Sequence, residues 1–146
     1  AEFGDAKQWP AEHFAATCKA KIDDGWDVWI FGSKKDAEVA DEILAELSEE
    51  QRKNCVSLAG RTSLAQAIDL LSVAEAVVSN DSGLMHIAAA LDKPIVALYG
   101  STSPDFTPPL SSRSSLLFTD IECRPCFKRE CPLEHKKELV SSGVND

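Results

Sequence analysis

Residues 76–91 read AVVSNDSGLMHIAAAL, and this stretch decides the fold. Its first apolar residues predict a strand, which ends in the polar, glycine-containing turn at residues 79–83. Apolar residues at helical spacing follow at once and predict a helix over residues 83–91. A helix that opens directly after such a turn leaves the backbone N–H groups of its first turn without partners. Because these groups and the helix dipole attract negative charge, the turn is a candidate phosphate site.

The remaining sequence alternates helical patterns with short apolar runs. Strands are predicted at residues 27–31, 56–58, 76–78, 95–99 and 116–118. Helices are predicted at residues 10–25, 36–47, 64–71 and 83–91, with Ser63 and Gln66 as a capping box before the third. This alternation predicts an α/β fold, a Rossmann-like parallel sheet with helices on both faces. Ligands of such sheets bind beyond the carboxyl ends of the strands, where loops 32–33, 59–60, 79–83 and 100–105 are expected.

Composition excludes several classes of protein. The chain has 146 residues, of which 44% are hydrophobic, so it can bury a core and is not globally disordered. Its formal net charge of -9 argues against a nucleic-acid or anionic-membrane surface. No apolar run approaches the roughly 20 residues that span a bilayer. Because the sequence lacks an initiator Met and opens within a pattern, we expect a fragment of a longer protein.

The five cysteines do not resemble a secreted disulfide framework and favour a reducing, cytoplasmic setting. Cys18 and Cys55 lie in a predicted helix and at a predicted strand, so both are expected to be small buried residues. A second group has the spacing of zinc ligands and consists of Cys123, Cys126, Cys131 and His135. Because its order matches no trusted zinc signature, these four are weak metal candidates, and an inert thiol cluster is the default interpretation.

Two interpretations of the turn at residues 81–83 stay open. In the first, the N–H groups of Ser82, Gly83 and Leu84 hold a diphosphate. In the second, Asp81 and Ser82 are ordinary N-cap residues, which explains the turn equally well. His86 favours the first interpretation, since it adds a donor one helical turn into the same helix.

Charged residues near the other loops have two interpretations as well. Lys7 precedes the first helix and could reach a phosphate on the same rim, although a solvated lysine is commoner. Asp36 and Glu38 follow the turn at Gly32, where an acid often accepts a ribose hydroxyl. Acids are also favourable in the first turn of any helix, so the two explanations are equally good for both residues.

Four blocks in order, AEFGDAKQWP, FGSKKD, SNDSGLMHIAAAL and ALYGSTSPDFTPP, resemble the lipopolysaccharide heptosyltransferases. The later CRPCFKREC is similar to members of the same family. The resemblance implies the C-terminal, donor-binding half of a GT-B glycosyltransferase. It also implies transfer of heptose from ADP-heptose to the lipopolysaccharide inner core, with inversion and without a metal or cofactor.

The resemblance assigns roles to individual residues. Lys7 would contact the donor phosphates, Ser82 and Gly83 would offer amides to them, and His86 would support the same group. Asp81 would lie beside the heptose. The adenosine positions are Thr62 and Leu64 near adenine and Asp36 near ribose, with Glu38 as the alternative acid.

The domain organisation implied is an ADP-heptose-binding domain over residues 1–120 and a charged, cysteine-containing extension over residues 121–146. The strand expected before Ala1 and the family's N-terminal domain, with its acceptor surface and catalytic base, are absent from the sequence. We therefore expect no catalytic residue here: the chain binds donor but does not transfer sugar alone. The enzyme would be cytoplasmic, at most peripheral to the inner membrane. Alternatives are another GT-B sugar-nucleotide enzyme, such as an epimerase, and a non-catalytic nucleotide-binding or zinc-stabilised interaction module.

Overall fold

The computed structural model describes residues 9–80, 82–99 and 112–118. Helices and parallel strands alternate in it, which confirms the predicted α/β class. The helices are α1 (Ala11–Asp23), α2 (Ala37–Ala45), α3 (Glu49–Arg52), α4 (Leu64–Val73) and α5 (Gly83–Ala90). The strands are β1 (Val28–Ile30), β2 (Cys55–Ser57), β3 (Val77–Asn80), β4 (Ile95–Tyr99) and β5 (Ser114–Phe118).

The described residues form two compact units, one of Pro10–Ala67 and one of Trp9 with the described residues from Ile68 onward. In the first unit, β1 pairs in parallel with β2. Side chains of α1, of α2 and the residues just after it, and of the two strands form its core, which contains Ala15, Cys18, Ile43, Leu47 and Cys55. The residues whose apolar spacing predicted α1 and α2 therefore lie on the face that each helix buries.

Local sequence signals explain how the helices of the first unit begin and end. Pro10 precedes the first residue of α1, where its missing N–H costs nothing. Gly25 ends the helix with φ +92, a left-handed conformation that glycine adopts without strain. The four-residue α3 was not predicted, although Ser48 and Gln51 form a capping box in front of it.

In the second unit, β3, β4 and β5 form a parallel sheet in that order. Helix α5 packs on it through Met85, which is fully buried, and through two alanines of its following turn. On the strand side the same core contains Ile95, Ala97 and Tyr99. Small residues at the contact let helix and sheet pack closely. This packing holds the start of α5, the candidate phosphate site, in a fixed position on the sheet.

Strand positions were predicted well and strand ends less well. β4 has the predicted bounds, and β5 begins at Ser114, two residues before its prediction. β3 continues to Asn80, although residues 79 and 80 were assigned to a turn. The ladder with β4 explains the difference, since it pairs Ser79 with Ala97 and Asn80 with Leu98.

The two cysteines in the described part of the chain are free and buried, as predicted. A side-chain hydrogen bond with Cys18, together with burial, raises the pKa of the Cys55 thiol. This thiol therefore stays protonated and packs as an apolar group. None of the described helices is both long and apolar enough to cross a membrane.

Candidate functional site

The loops that follow β1 and β2 are locked together at the carboxyl ends of these strands. The N–H of Gly60 donates to the carbonyl oxygen of Gly32 over 2.9 Å. A Cβ on Gly60 would lie 2.9 Å from the Cα of Lys34, and the residue has φ +69. Both the space and the backbone conformation therefore require glycine at this position. The two loops share one rim, as the parallel-sheet prediction implied.

Asp36 lies in the first of these loops, at the end of a 3-10 turn over Lys34–Asp36 that leads into α2. Its Oδ2 accepts hydrogen bonds from the Ser33 N–H at 2.8 Å and from the Ser33 hydroxyl at 2.9 Å. These two hydrogen bonds orient the Asp36 carboxylate. Glu38 is exposed on α2 itself.

Thr62 and Leu64 follow the second loop. Ser63, between them, makes two hydrogen bonds with Gln66. The Ser63 N–H donates to Gln66 Oε1 at 2.9 Å, and the Gln66 N–H donates to Ser63 Oγ at 3.2 Å. This confirms the predicted capping box. Thr62 is half-buried, whereas Leu64 is 65% exposed although it is a large apolar side chain. An exposed leucine at a helix start offers an apolar surface to a flat ligand such as a base.

The anion site predicted at the β3–α5 turn lies in the second unit. Ser82 precedes the first residue of α5 in an extended conformation, and its side chain makes no capping hydrogen bond. Its hydroxyl instead lies 3.2 Å from that of Ser79, which donates to the carbonyl oxygen of Asn80 at 2.8 Å. The Ser82 side chain therefore accepts no hydrogen bond from the first-turn N–H groups of α5, which weakens the N-cap interpretation for this residue.

Gly83 is the first residue of α5 and has no evident structural need to be glycine. Its φ is not positive, and a Cβ built on it would meet no atom of the described residues within 4 Å. His86, three residues later, is exposed on the same face of the helix. A glycine that serves neither packing nor backbone conformation is consistent with room left for a ligand at the amides.

Trp9 is buried, with 2% of its surface exposed, and its backbone N–H donates to Asn80 Oδ1 over 3.2 Å. The side chain therefore does not offer a stacking surface to a base. Asn80 was missed by sequence reasoning because it was assigned to the turn. Its side chain holds the backbone of Trp9 at the end of β3, the strand that leads to the anion site.

The predicted site residues fall into three groups. The first unit holds Asp36, Thr62 and Leu64 on its interlocked loops, and the second holds Ser82, Gly83 and His86 at the start of α5. Lys7, Asp81 and the loop at residues 100–105 lie outside the described residues. Ser33 was not predicted, although the pattern Ser-x-x-Asp at residues 33–36 was a visible signal.

A cavity of about 510 Å³ opens between the start of α1 and the end of α2. Its charged lining residues are acidic: Glu12, Glu42 and Glu46. Three carboxylates repel an anionic ligand, so this cavity is not the candidate site.

No group of three or more His, Cys, Asp or Glu side chains within residues 9–80, 82–99 and 112–118 is arranged to hold a metal ion. The zinc-like candidates Cys123, Cys126, Cys131 and His135 lie outside these ranges.

Comparison with known proteins gives a consistent family. The model of glycosyltransferase family 9 (heptosyltransferase) matches residues 1–137. Lipopolysaccharide heptosyltransferase 2 of Salmonella typhimurium is 56% identical over 117 residues, which is 80% of this chain and 34% of that protein. The chain therefore spans about a third of the length of such relatives.

Two solved structures extend the comparison. The structure of E. coli ADP-heptose lps heptosyltransferase II superposes with a TM-score of 0.80 at 54% identity, over 82% of this chain and 36% of that chain. E. coli heptosyltransferase WaaC with ADP superposes with a TM-score of 0.67 at 28% identity, over 77% of this chain and 33% of that chain.

Proposed function

Because the chain belongs to glycosyltransferase family 9, the heptosyltransferase family, we propose that it is the donor-binding part of an inverting glycosyltransferase. The donor is ADP-heptose, and the acceptor is the lipopolysaccharide inner core. The relatives' names support both, and the ADP in one of the matched structures supports the nucleotide. The observation that carries the proposal is the start of α5, where Ser82 makes no capping hydrogen bond and no atom of the described residues lies within 4 Å of a Cβ built on Gly83.

The diphosphate is held by the first turn of α5. The amides of Ser82 and Gly83 donate to phosphate oxygens, and the positive end of the helix dipole adds to their attraction. His86 supports the same group from one turn further along the helix. Lys7 supplies a cation, and Asp81 lies beside the heptose.

The adenosine half is held by the interlocked loops of the first unit. Asp36, oriented by hydrogen bonds from Ser33, accepts hydrogen bonds from the ribose. Thr62 and the exposed side chain of Leu64 lie against adenine. Residues 1–120 form this nucleotide-sugar domain, and residues 121–146 form a charged extension.

The chemistry of transfer follows from these contacts. As the bond between heptose and ADP breaks, negative charge develops on the diphosphate, and fixed amides, the helix dipole and a lysine stabilise that charge without a metal. The acceptor hydroxyl must lose a proton to a general base. We assign the base and the acceptor surface to another part of the enzyme. The isolated chain therefore binds donor and does not transfer heptose.

The enzyme works in the cytoplasm, where it takes its donor from solution. The buried free thiols Cys18 and Cys55 support a reducing compartment. Association with the inner face of the membrane would follow from the acceptor, which is a lipid.

Calorimetric titration with nucleotides tests the proposal. We expect the chain to bind ADP at one site and to bind GDP and UDP at least about tenfold more weakly, because its base contacts fit adenine. Lys7→Ala should weaken ADP binding by about 10- to 100-fold, as expected when a charged hydrogen bond of roughly 1.5–3 kcal/mol is lost. Lys53→Ala, whose side chain is 68% exposed at the end of α3, is the matched control and should bind ADP normally.

Each failure has a distinct meaning. If the folded chain gives no heat with ADP, the donor-site assignment is wrong. Equal affinity for ADP, GDP and UDP would remove the adenine assignment and leave the phosphate site.

A further inference from the structure

We propose that Cys18 and Cys55 are a dithiol pair that reacts with hydrogen peroxide and closes to a disulfide between α1 and β2. Neither residue belongs to the proposed donor site, so this inference is independent of the proposed function. The disulfide is a reversible product, and it protects the core of the first unit against irreversible oxidation.

The two thiols meet inside one core. Cys18 lies on the buried face of α1, with 8% of its surface exposed, and Cys55 is the first residue of β2, with 6% exposed. Both belong to the same cluster of packed buried residues, and a hydrogen bond joins the two side chains. A disulfide bond of about 2.05 Å requires two sulfur atoms that already lie close together. Thiols that are hydrogen-bonded partners meet this requirement.

The neighbours of the pair do not compete for the reaction. The other buried members of this core are Ala15, Ile43 and Leu47, whose apolar side chains do not react with a peroxide. In the part of the chain that the structure describes, no cysteine lies outside the pair. An oxidised Cys18 in this core therefore has the thiol of Cys55 as its reaction partner.

The hydrogen bond between the thiols makes them unequal. It lowers the pKa of Cys18, although burial acts in the opposite direction. The same bond, together with burial, raises the pKa of Cys55. Because the thiolate is the nucleophile, Cys18 reacts with the oxidant first. Cys55 keeps its proton and acts as the resolving thiol.

The reaction balances with one molecule of peroxide. The Cys18 thiolate attacks one peroxide oxygen, so that an S–O bond forms, the O–O bond breaks and the departing hydroxide takes a proton to become water. The Cys55 sulfur then attacks the sulfenic sulfur of Cys18. The S–S bond forms, the S–O bond breaks, and the hydroxyl leaves with the thiol proton as a second water. Two thiols are oxidised, and the peroxide is reduced to two waters.

The cross-link lies away from the rim of the first unit. Cys55 begins β2, whereas the loop with Gly60 and Thr62 follows the carboxyl end of that strand. The disulfide joins residues distant in sequence, so it restricts the unfolded chain and stabilises the folded one. Oxidation should therefore raise the melting temperature of the chain.

Peptide mapping by mass spectrometry, after treatment of the folded chain with hydrogen peroxide, tests the inference. We expect a linked pair of peptides that contain Cys18 and Cys55, which dithiothreitol separates, and a Tm raised by about 5–15 °C. Cys55→Ala removes the resolving thiol, so Cys18 should go on to sulfinic acid and the Tm should not rise. Cys18→Ala is the reciprocal variant, in which the Cys55 thiol should stay reduced under the same treatment.

Four results would overturn the inference. The first is a folded natural chain in which both thiols stay reduced under peroxide. The second is linkage of Cys18 or Cys55 to Cys123, Cys126 or Cys131 in place of the expected pair. The third is accumulation of Cys18 sulfinic acid in the natural chain while Cys55 stays reduced. The fourth is an equal yield of the expected pair from the chain unfolded in urea, since the folded contact would then not direct the pairing.

Discussion

Replacing Gly83 by alanine should make the protein more stable and should weaken its binding of the nucleotide. The new Cβ meets no atom of the described residues within 4 Å, and the backbone has no positive φ, so the folded state accepts alanine without strain. Alanine also restricts the unfolded chain, and the two effects together should raise the free energy of unfolding by about 0.4–1 kcal/mol. Urea denaturation measures this change.

The same methyl group should weaken ADP binding by about 10- to 100-fold. It occupies the open space beside the first-turn amides of α5, where the proposed diphosphate oxygens lie, and so lengthens charged hydrogen bonds worth roughly 1.5–3 kcal/mol. Calorimetry measures the affinity. Ala90→Gly at the exposed end of the same helix is the matched control, which should lower stability and leave ADP binding intact. Unchanged affinity in Gly83→Ala would place the phosphates elsewhere.

Met85→Ala should have the largest effect on stability, with a loss of about 2–5 kcal/mol. Met85 is fully buried between α5 and the sheet, and the Tyr99 hydroxyl donates to its sulfur at 3.7 Å. Truncation leaves a cavity that the neighbouring Ala88 and Ala97 cannot fill, because these side chains are already small. Chemical denaturation followed by circular dichroism measures the loss.

Met85→Leu is the control for volume, since it keeps the side chain large and apolar and should cost less than about 1.5 kcal/mol. His86→Ala, at the exposed neighbouring position, should change stability by less than about 0.5 kcal/mol. A loss below about 1 kcal/mol for Met85→Ala would contradict the packing of α5 on this sheet.

The fold was predictable where the sequence pattern is long and regular. The run of five apolar residues in β4 predicted both ends of the strand, because the flanking Pro94 and Gly100 interrupt the pattern. Ser79 and Asn80 were misassigned because their polar side chains favour turns, whereas main-chain pairing with β4 keeps them in the strand. Pairing with a neighbouring strand cannot be predicted from the local sequence pattern.

The site was predictable as separate loops but not as contacts. The turn before α5 and the acid after β1 were both found from the sequence, since glycine and polar residues mark strand ends. The bond from the Ser33 hydroxyl to Asp36 was missed, as was the lock between Gly60 and Gly32. The first depends on side-chain rotation and the second joins residues distant in sequence, so neither follows from spacing alone.

The acidic character of the chain agrees with this type of anion site. A net charge of -9 leaves little attraction for polyanions at large, yet one diphosphate can be bound by local amides and a helix dipole. Such a site selects a small anion by geometry rather than by overall charge, as a nucleotide-sugar donor requires.

Amide chemical shifts of the isotopically labelled chain test the central claim most directly. Inorganic pyrophosphate should shift the amides of Ser82, Gly83 and Leu84, adenosine should shift those of Asp36 and Thr62, and ADP should shift both sets. If ADP binds and leaves the amides of Ser82, Gly83 and Leu84 unmoved, the start of α5 is not the phosphate site, and the account given for this chain is wrong.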